Sequence, residues 1–244
     1  MSKVNNFTVI ESIYGRFVVN RHCAFQAEAL IKTGKPHINA EIEVLLAIAD
    51  TLPKGAFMLD AGANIGLVSI PVAQTLLPRG GVVLAYEVQR MIYYALCAGA
   101  ALNDLENLYA YHHGLGATVR DERISRLDYG AEQDHGAFSL LHQGDVRPET
   151  VRIITIDSIG LPRLDLLKID VEGMEIEVLQ GGRSTIARHR PWCWIEDWKV
   201  GADAIKAMFQ GMEYQFFKAD ELNMLCAPSD RLAASGLVFE GARV

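Results

Sequence analysis

The chain has 244 residues, 50% of them hydrophobic and 22% charged, with 21 Gly and 8 Pro. Such a composition suits one large globular domain or two small ones, and it excludes a disordered tail, a collagen-like chain and a disulfide-stapled miniprotein. A formal net charge of -7, from 30 acidic against 23 basic residues, argues against wholesale binding to nucleic acid or to an anionic membrane.

Phe7 to Asn20 alternates loosely and reads as a hairpin around Gly15. Two helical patterns follow, Ala24 to Lys32 ended by Gly34, and Ala40 to Thr51 with Ile42, Leu45, Leu46 and Ala49 on one face. From Ala56 the rhythm changes to short apolar runs alternating with helical stretches. Ala56 to Asp60 reads as a buried strand, Leu67 to Leu77 as a helix, Val82 to Glu87 as a strand, Met91 to Leu102 as a helix and Leu108 to His112 as a third strand. Beyond a polar middle come a strand at Asp165 to Asp170, a helix at Met174 to Leu179, a strand at Trp192 to Glu196 and a helix at Ala202 to Gln210. Tyr214 to Phe217 and Gly236 to Glu240 read as a last strand pair. Strands and helices alternating at these lengths predict an α/β fold, a doubly wound and mostly parallel sheet. Residues 1–55 are expected to pack on this core as an N-terminal hairpin and helices, and 56–244 to form the main domain. Its 117–155 insertion either shapes a pocket or makes a plain surface excursion.

The four cysteines, Cys23, Cys97, Cys193 and Cys226, lie far apart without Cys-x-x-Cys or zinc-finger spacing. Neither a signal peptide nor a bilayer-length apolar run is read, so the expectation is a cytoplasmic protein, with a homodimer as the default oligomer.

The sharpest local signal is Asp60-Ala-Gly62-Ala63-Asn64-Ile-Gly66, after a strand and before a helix. Gly62 lets a ligand approach the backbone, and Gly66 lets the helix pack close, its N-terminus facing the ligand with free N–H groups. Glu87 ends the next strand, 21 residues beyond Gly66, the spacing of a ribose-binding acid. The pattern points to an adenosine-containing ligand. A dinucleotide fingerprint would carry glycine where Asp60 stands, and a carboxylate there repels a pyrophosphate. It suits S-adenosylmethionine, which has an ammonium and no phosphate.

Asp60 to Gly66, Thr155-Ile-Asp157, Lys168-Ile-Asp-Val-Glu-Gly-Met-Glu175, Leu179-Gln-Gly-Gly182 and Pro191 leading into Trp194-Ile-Glu196 together resemble the FkbM family of S-adenosylmethionine-dependent methyltransferases. The resemblance runs from about Ala56 to Asp197. It implies a class I methyltransferase fold and O-methylation of a hydroxyl on a sugar or natural product. One departure is Glu87-Val88-Gln89, where the family commonly has Glu-Pro. Cofactor contacts are expected from Asp60, Gly62, Ala63, Asn64, Gly66, Glu87, Val88, His113 and Asp170.

Four carboxylates, Asp170, Glu172, Glu196 and Asp197, stand at or just beyond two strand ends that share one crevice in an open parallel sheet. Two roles suit them. Asp170, Glu172 or Glu196 can act as base toward a hydroxyl, or Asp170, Glu196 and Asp197 can hold Mg²⁺ or Mn²⁺ that acidifies it. Ion pairing of Glu172 and Asp197 with Lys168 and Lys199 is the structural alternative. His22, His37, His135 and His142 are possible pocket residues, and Trp198 a possible substrate platform. A nicotinamide-dependent oxidoreductase and a non-catalytic S-adenosylmethionine-binding protein are the alternatives in function.

Overall fold

A computed structural model describes residues 5–132 and 148–239. β1 (Phe7–Ser12) and β2 (Gly15–Asn20) form the expected hairpin, followed by α1 (Ala24–Thr33) and α2 (Asn39–Thr51). The alternating part begins with β3 (Phe57–Ala61), α3 (Ser69–Leu76), β4 (Val82–Tyr86), α4 (Arg90–Leu102) and β5 (Leu108–Tyr111). Three short strands, β6 (His113–Leu115), β7 (Arg120–Ile124) and β8 (Glu149–Ile154), make a small sheet of their own. The second half holds α5 (Ile156–Ile159), β9 (Leu166–Ile169), α6 (Glu175–Gly181), α7 (Arg183–His189), β10 (Trp192–Glu196) and α8 (Ala202–Met208). β11 (Tyr214–Lys218), β12 (Asn223–Pro228) and α9 (Ser229–Ser235) close the chain.

The main sheet has seven strands in the order β11-β12-β10-β9-β3-β4-β5. β3, β4, β5, β9 and β10 are parallel, and β12 runs antiparallel between β10 and β11. Side chains that alternate along each strand serve two different cores. Met58, Leu166, Trp192, Trp194 and Leu225 face the layer of the N-terminal hairpin and α1 to α4. Their neighbours Leu59, Leu167, Cys193, Ile195 and Cys226 face α5 to α8. Near-continuous apolar strands are the consequence of burial on both faces. The doubly wound fold is as expected.

One expectation is corrected. β11 pairs with β12, not with Gly236 to Glu240. Asp220 Oδ1 accepts from the amides of Leu222 and Asn223, which turns the chain back early, and Gly236 is spent as the left-handed cap of α9. Residues 236–239 are not strand, and residue 240 lies outside the described residues. Thr155-Ile-Asp157 is an architectural element. The Thr155 hydroxyl caps α5, and the Asp157 carboxylate accepts from Ser184 and Thr185 at the start of α7.

Within the 117–155 insertion, Tyr129 reaches the N-terminal hairpin. Tyr129 lies against the Phe7 ring, its carbonyl accepts from Asn20, and its hydroxyl donates to Gln89 at 3.2 Å. No helix among the described residues is long and apolar enough to cross a membrane.

Candidate active site

The strand order reverses direction between β3 and β9, the place where an open α/β sheet leaves a crevice at its carboxyl end. Chain leaves β3 through Gly62, whose φ of 78° is left-handed and whose added Cβ would collide with the Asp170 carbonyl oxygen at the end of β9. Asn64 also takes a positive φ, 50°. Its amide donates to Glu87 Oε2 at 2.9 Å, and Gln89 N–H donates to Glu87 Oε1 at 2.7 Å. These two bonds fix the Glu87 carboxylate at the end of β4. Burial pushes Glu87 up to about 7, although the amides of Gln89 and Asn64 pull it down.

A cavity opens over these residues, lined by Gly62, Asn64, Tyr86, Glu87, Val88, Gln89, His113, Leu115, Asp170 and Met174 among others. Six of the expected cofactor residues line it: Gly62, Asn64, Glu87, Val88, His113 and Asp170. His113 presents a buried Nδ1 without a hydrogen-bond partner, and burial holds its pKa below the usual histidine value.

Asp60, Ala63 and Gly66 are not among the residues that line that cavity. Ala63 is buried, with its amide donating to the Tyr86 carbonyl. Gly66, at φ 89°, lets Leu96 and Ile70 close on the turn. Asp60 is fully buried beneath the floor. Its Oδ2 accepts from Ser69 at 2.5 Å, and its Oδ1 lies 3.3 Å from Lys168 Nζ. Lys168 also lies 3.3 Å from Asp170 and donates to the Gly62 carbonyl at 3.0 Å. Burial opposes its charge, but Asp60, Asp170 and Glu41 outweigh that and raise its pKa. Lys168 therefore ties both halves of the crevice together from below.

Asp170, Glu172 and Glu196 each offer an oxygen atom within 4.8 Å of the others. Glu172 stands at a φ of 59°, stabilised by Gly173 next to it and by Glu175, which accepts from the amides of Val171 and Gly173. Glu172 pairs with Lys199. Burial, then Asp170 and Glu175, push Glu196 up to about 8, and its Oε2 has no hydrogen-bond partner. Asp197 does not join the three. It is buried, pairs with Lys218 and is tied by its amide to Leu222, because successive residues at a strand end point to opposite faces.

A second cavity adjoins the first and shares Asn64, Asp170 and Glu172 with it. His37, Glu41, Glu196 and Asp220 also line it. Glu41 escapes sequence reasoning, because its position on α2 looks like one acid on a solvated helix face. The fold buries it, and burial pushes it up to about 8. Of the other histidines, His37 lines the second cavity, His22 lines neither, and His135 and His142 lie outside the described residues. Trp192 and Trp194 are core, whereas Trp198 is 55% exposed, with the Lys199 ammonium 4.8 Å from its ring centroid.

An open sheet with one reversed strand, a glycine turn beneath a cavity and carboxylates at the neighbouring strand ends define a class I methyltransferase fold. The family model of the methyltransferase FkbM domain matches residues 60–227, and the chain belongs to that family. It is 32% identical to methyltransferase sdnD of Sordaria araneosa, over 53% of this chain and 61% of that protein. To methyltransferase 1 of Beauveria bassiana it is 26% identical, over 53% of this chain and 59% of that one. The chain thus spans less than two thirds of either relative. Among solved structures, the methyltransferase FkbM of Methylobacillus flagellatus shares the fold with a TM-score of 0.52 at 16% identity, covering 85% of this chain and 55% of that one.

Proposed function

We propose that the protein transfers a methyl group from S-adenosylmethionine to a hydroxyl of a sugar or natural-product acceptor. The observation that carries this reading is the pair of adjoining cavities whose common wall is Asn64, Asp170 and Glu172. One is lined by the Gly62 turn, Glu87 and His113, and the other is acidic. The family match and the methyltransferase relatives support methyl transfer over the nicotinamide alternative.

The residues fit the cofactor on their own chemistry. Glu87, held by two amides, accepts from ribose hydroxyls, Gly62 leaves room where any side chain would collide with Asp170, and His113 Nδ1 is free to take a polar partner. S-adenosylmethionine, when bound, supplies a methyl group activated on a sulfonium. The chain's part is to bring a hydroxyl to the Asp170–Glu172–Glu196 wall and to manage its proton. Glu196, raised to about 8, is the carboxylate suited to receive that proton once it has itself ionised. The same three oxygens offer a site for Mg²⁺ or Mn²⁺, hard cations that favour carboxylate oxygen and would lower the hydroxyl pKa.

Isothermal titration with S-adenosylhomocysteine, S-adenosylmethionine, NAD and NADP tests the cofactor. Binding of the nicotinamides and not of the sulfur ligands would overturn the reading. Transfer of labelled methyl to a panel of sugars and hydroxylated metabolites separates an enzyme from a non-catalytic binding protein.

A further inference from the structure

The second cavity contains a group that the proposed methyl transfer leaves unused. Glu41, on α2 and outside the family-matched residues 60–227, is about nine-tenths buried, lines that cavity and has an Oε1 without a hydrogen-bond partner. The charged groups acting on it come from other elements: Lys168 on β9, Asp170 after it, Asp60 on β3 and Asp220 in the β11–β12 turn. Lys168 is the single base among these four, and Asp60 and Asp170 already share it. His37 and Glu221 line the same cavity, and among the described residues no Lys or Arg does.

With Lys168 shared by Asp60 and Asp170 and Lys199 taken by Glu172, a neutral polyol entering here would bring no counter-charge to Glu41. A cation would satisfy it and take the place of the proton that burial keeps on Glu41 at neutral pH. The three oxygens suited to a metal ion belong to Asp170, Glu172 and Glu196, and Glu41 stands outside that group. Resting on the methyl-transfer reading, we propose that the acceptor carries a protonated amine and that Glu41 is its counter-ion, with Asp220 adding to the field. The substrate class is an amino sugar or amino alcohol, its ammonium toward Glu41 and its hydroxyl toward Asp170 and Glu196.

The test loads the protein with S-adenosylhomocysteine and titrates a panel of amino sugars and amino alcohols, each against its N-acetylated counterpart, at pH 7 in two buffers of different ionisation enthalpy. Amines are expected to bind about tenfold or more tightly than their acetylated partners, as one added ion pair predicts. Binding should release protons, read as a buffer-dependent heat, as Glu41 ionises. Glu41→Gln should remove both the preference and the proton release while keeping its affinity for S-adenosylhomocysteine, which reports intact folding. Glu41→Asp should keep part of the preference. Equal or tighter binding of the acetylated series, no binding by any amine, or a preference that survives Glu41→Gln overturns the assignment. Failure of S-adenosylhomocysteine to bind the wild type instead strikes at the methyl-transfer reading itself.

Discussion

Lys168 Nζ donates to the Gly62 carbonyl at 3.0 Å, joining the strand that carries the acidic wall to the turn that carries the cofactor cavity. Lys168 and Asp60 are both nearly or fully buried, so neither charge has water to fall back on. Lys168→Met should cost about 3–5 kcal/mol of stability in urea unfolding, the usual result of stranding one member of a buried ion pair. Asp60→Ala should behave similarly, and any affinity lost for S-adenosylhomocysteine would come through the displaced turn. Unchanged unfolding midpoints in both variants would show that the pair has no such role.

Gly62 and Gly34 separate conformational cost from collision. Both have positive φ, 78° and 67°, but a Cβ at Gly34 meets nothing within 4 Å. Gly34→Ala should cost about 1 kcal/mol, the left-handed penalty alone. Gly62→Ala adds a collision with the Asp170 backbone and should both destabilise more and abolish S-adenosylhomocysteine binding. Equal losses in the two variants would argue against close packing at the turn.

Glu87→Gln should weaken S-adenosylhomocysteine binding by roughly 1.5–3 kcal/mol, the range for a hydrogen bond to a charged group. In the wild type, affinity should tighten as pH rises through about 7, because the ionised carboxylate is the better acceptor for ribose hydroxyls. A flat affinity profile in calorimetry between pH 6 and 8 would contradict this.

Stability should also report on Glu41. Its carboxyl is raised from 4.5 to about 8 in the folded chain. Between those two values the folded state holds a proton that the unfolded state has lost, so raising pH in that window destabilises the fold, and no further loss occurs above it. Glu41→Gln carries no such proton. Relative to wild type it should gain stability, on the order of a few kcal/mol, as pH rises across the window. Parallel stability curves for the two proteins would refute it.

The two readings of the acidic wall part on chelation. If Asp170, Glu172 and Glu196 hold a divalent cation, activity should disappear with chelator and return with Mg²⁺ or Mn²⁺. If Glu196 acts as base without metal, activity should survive chelation and rise with pH through about 8, as the carboxyl loses its proton, and Glu196→Gln should lose that pH dependence. Near-normal turnover in Asp170→Asn, Glu172→Gln and Glu196→Gln would dismiss both.

Sequence alone determined the parts of this protein that depend on short-range rules. Strand and helix periods, the Gly62 turn, the Glu87 spacing and the carboxylates ending β9 and β10 were all legible, since each is set by residues close together in the chain. Tertiary structure decided which of these groups reach a cavity. Whether Asp60 faces ligand or lysine, and whether Asp197 joins Glu196 or turns to Lys218, depends on which face of the sheet each side chain meets. Glu41 was the least legible of all. An acid on an amphipathic helix is ordinarily solvated, and only the packing of α2 against the crevice takes it out of water and places it over the same cavity as Asp170.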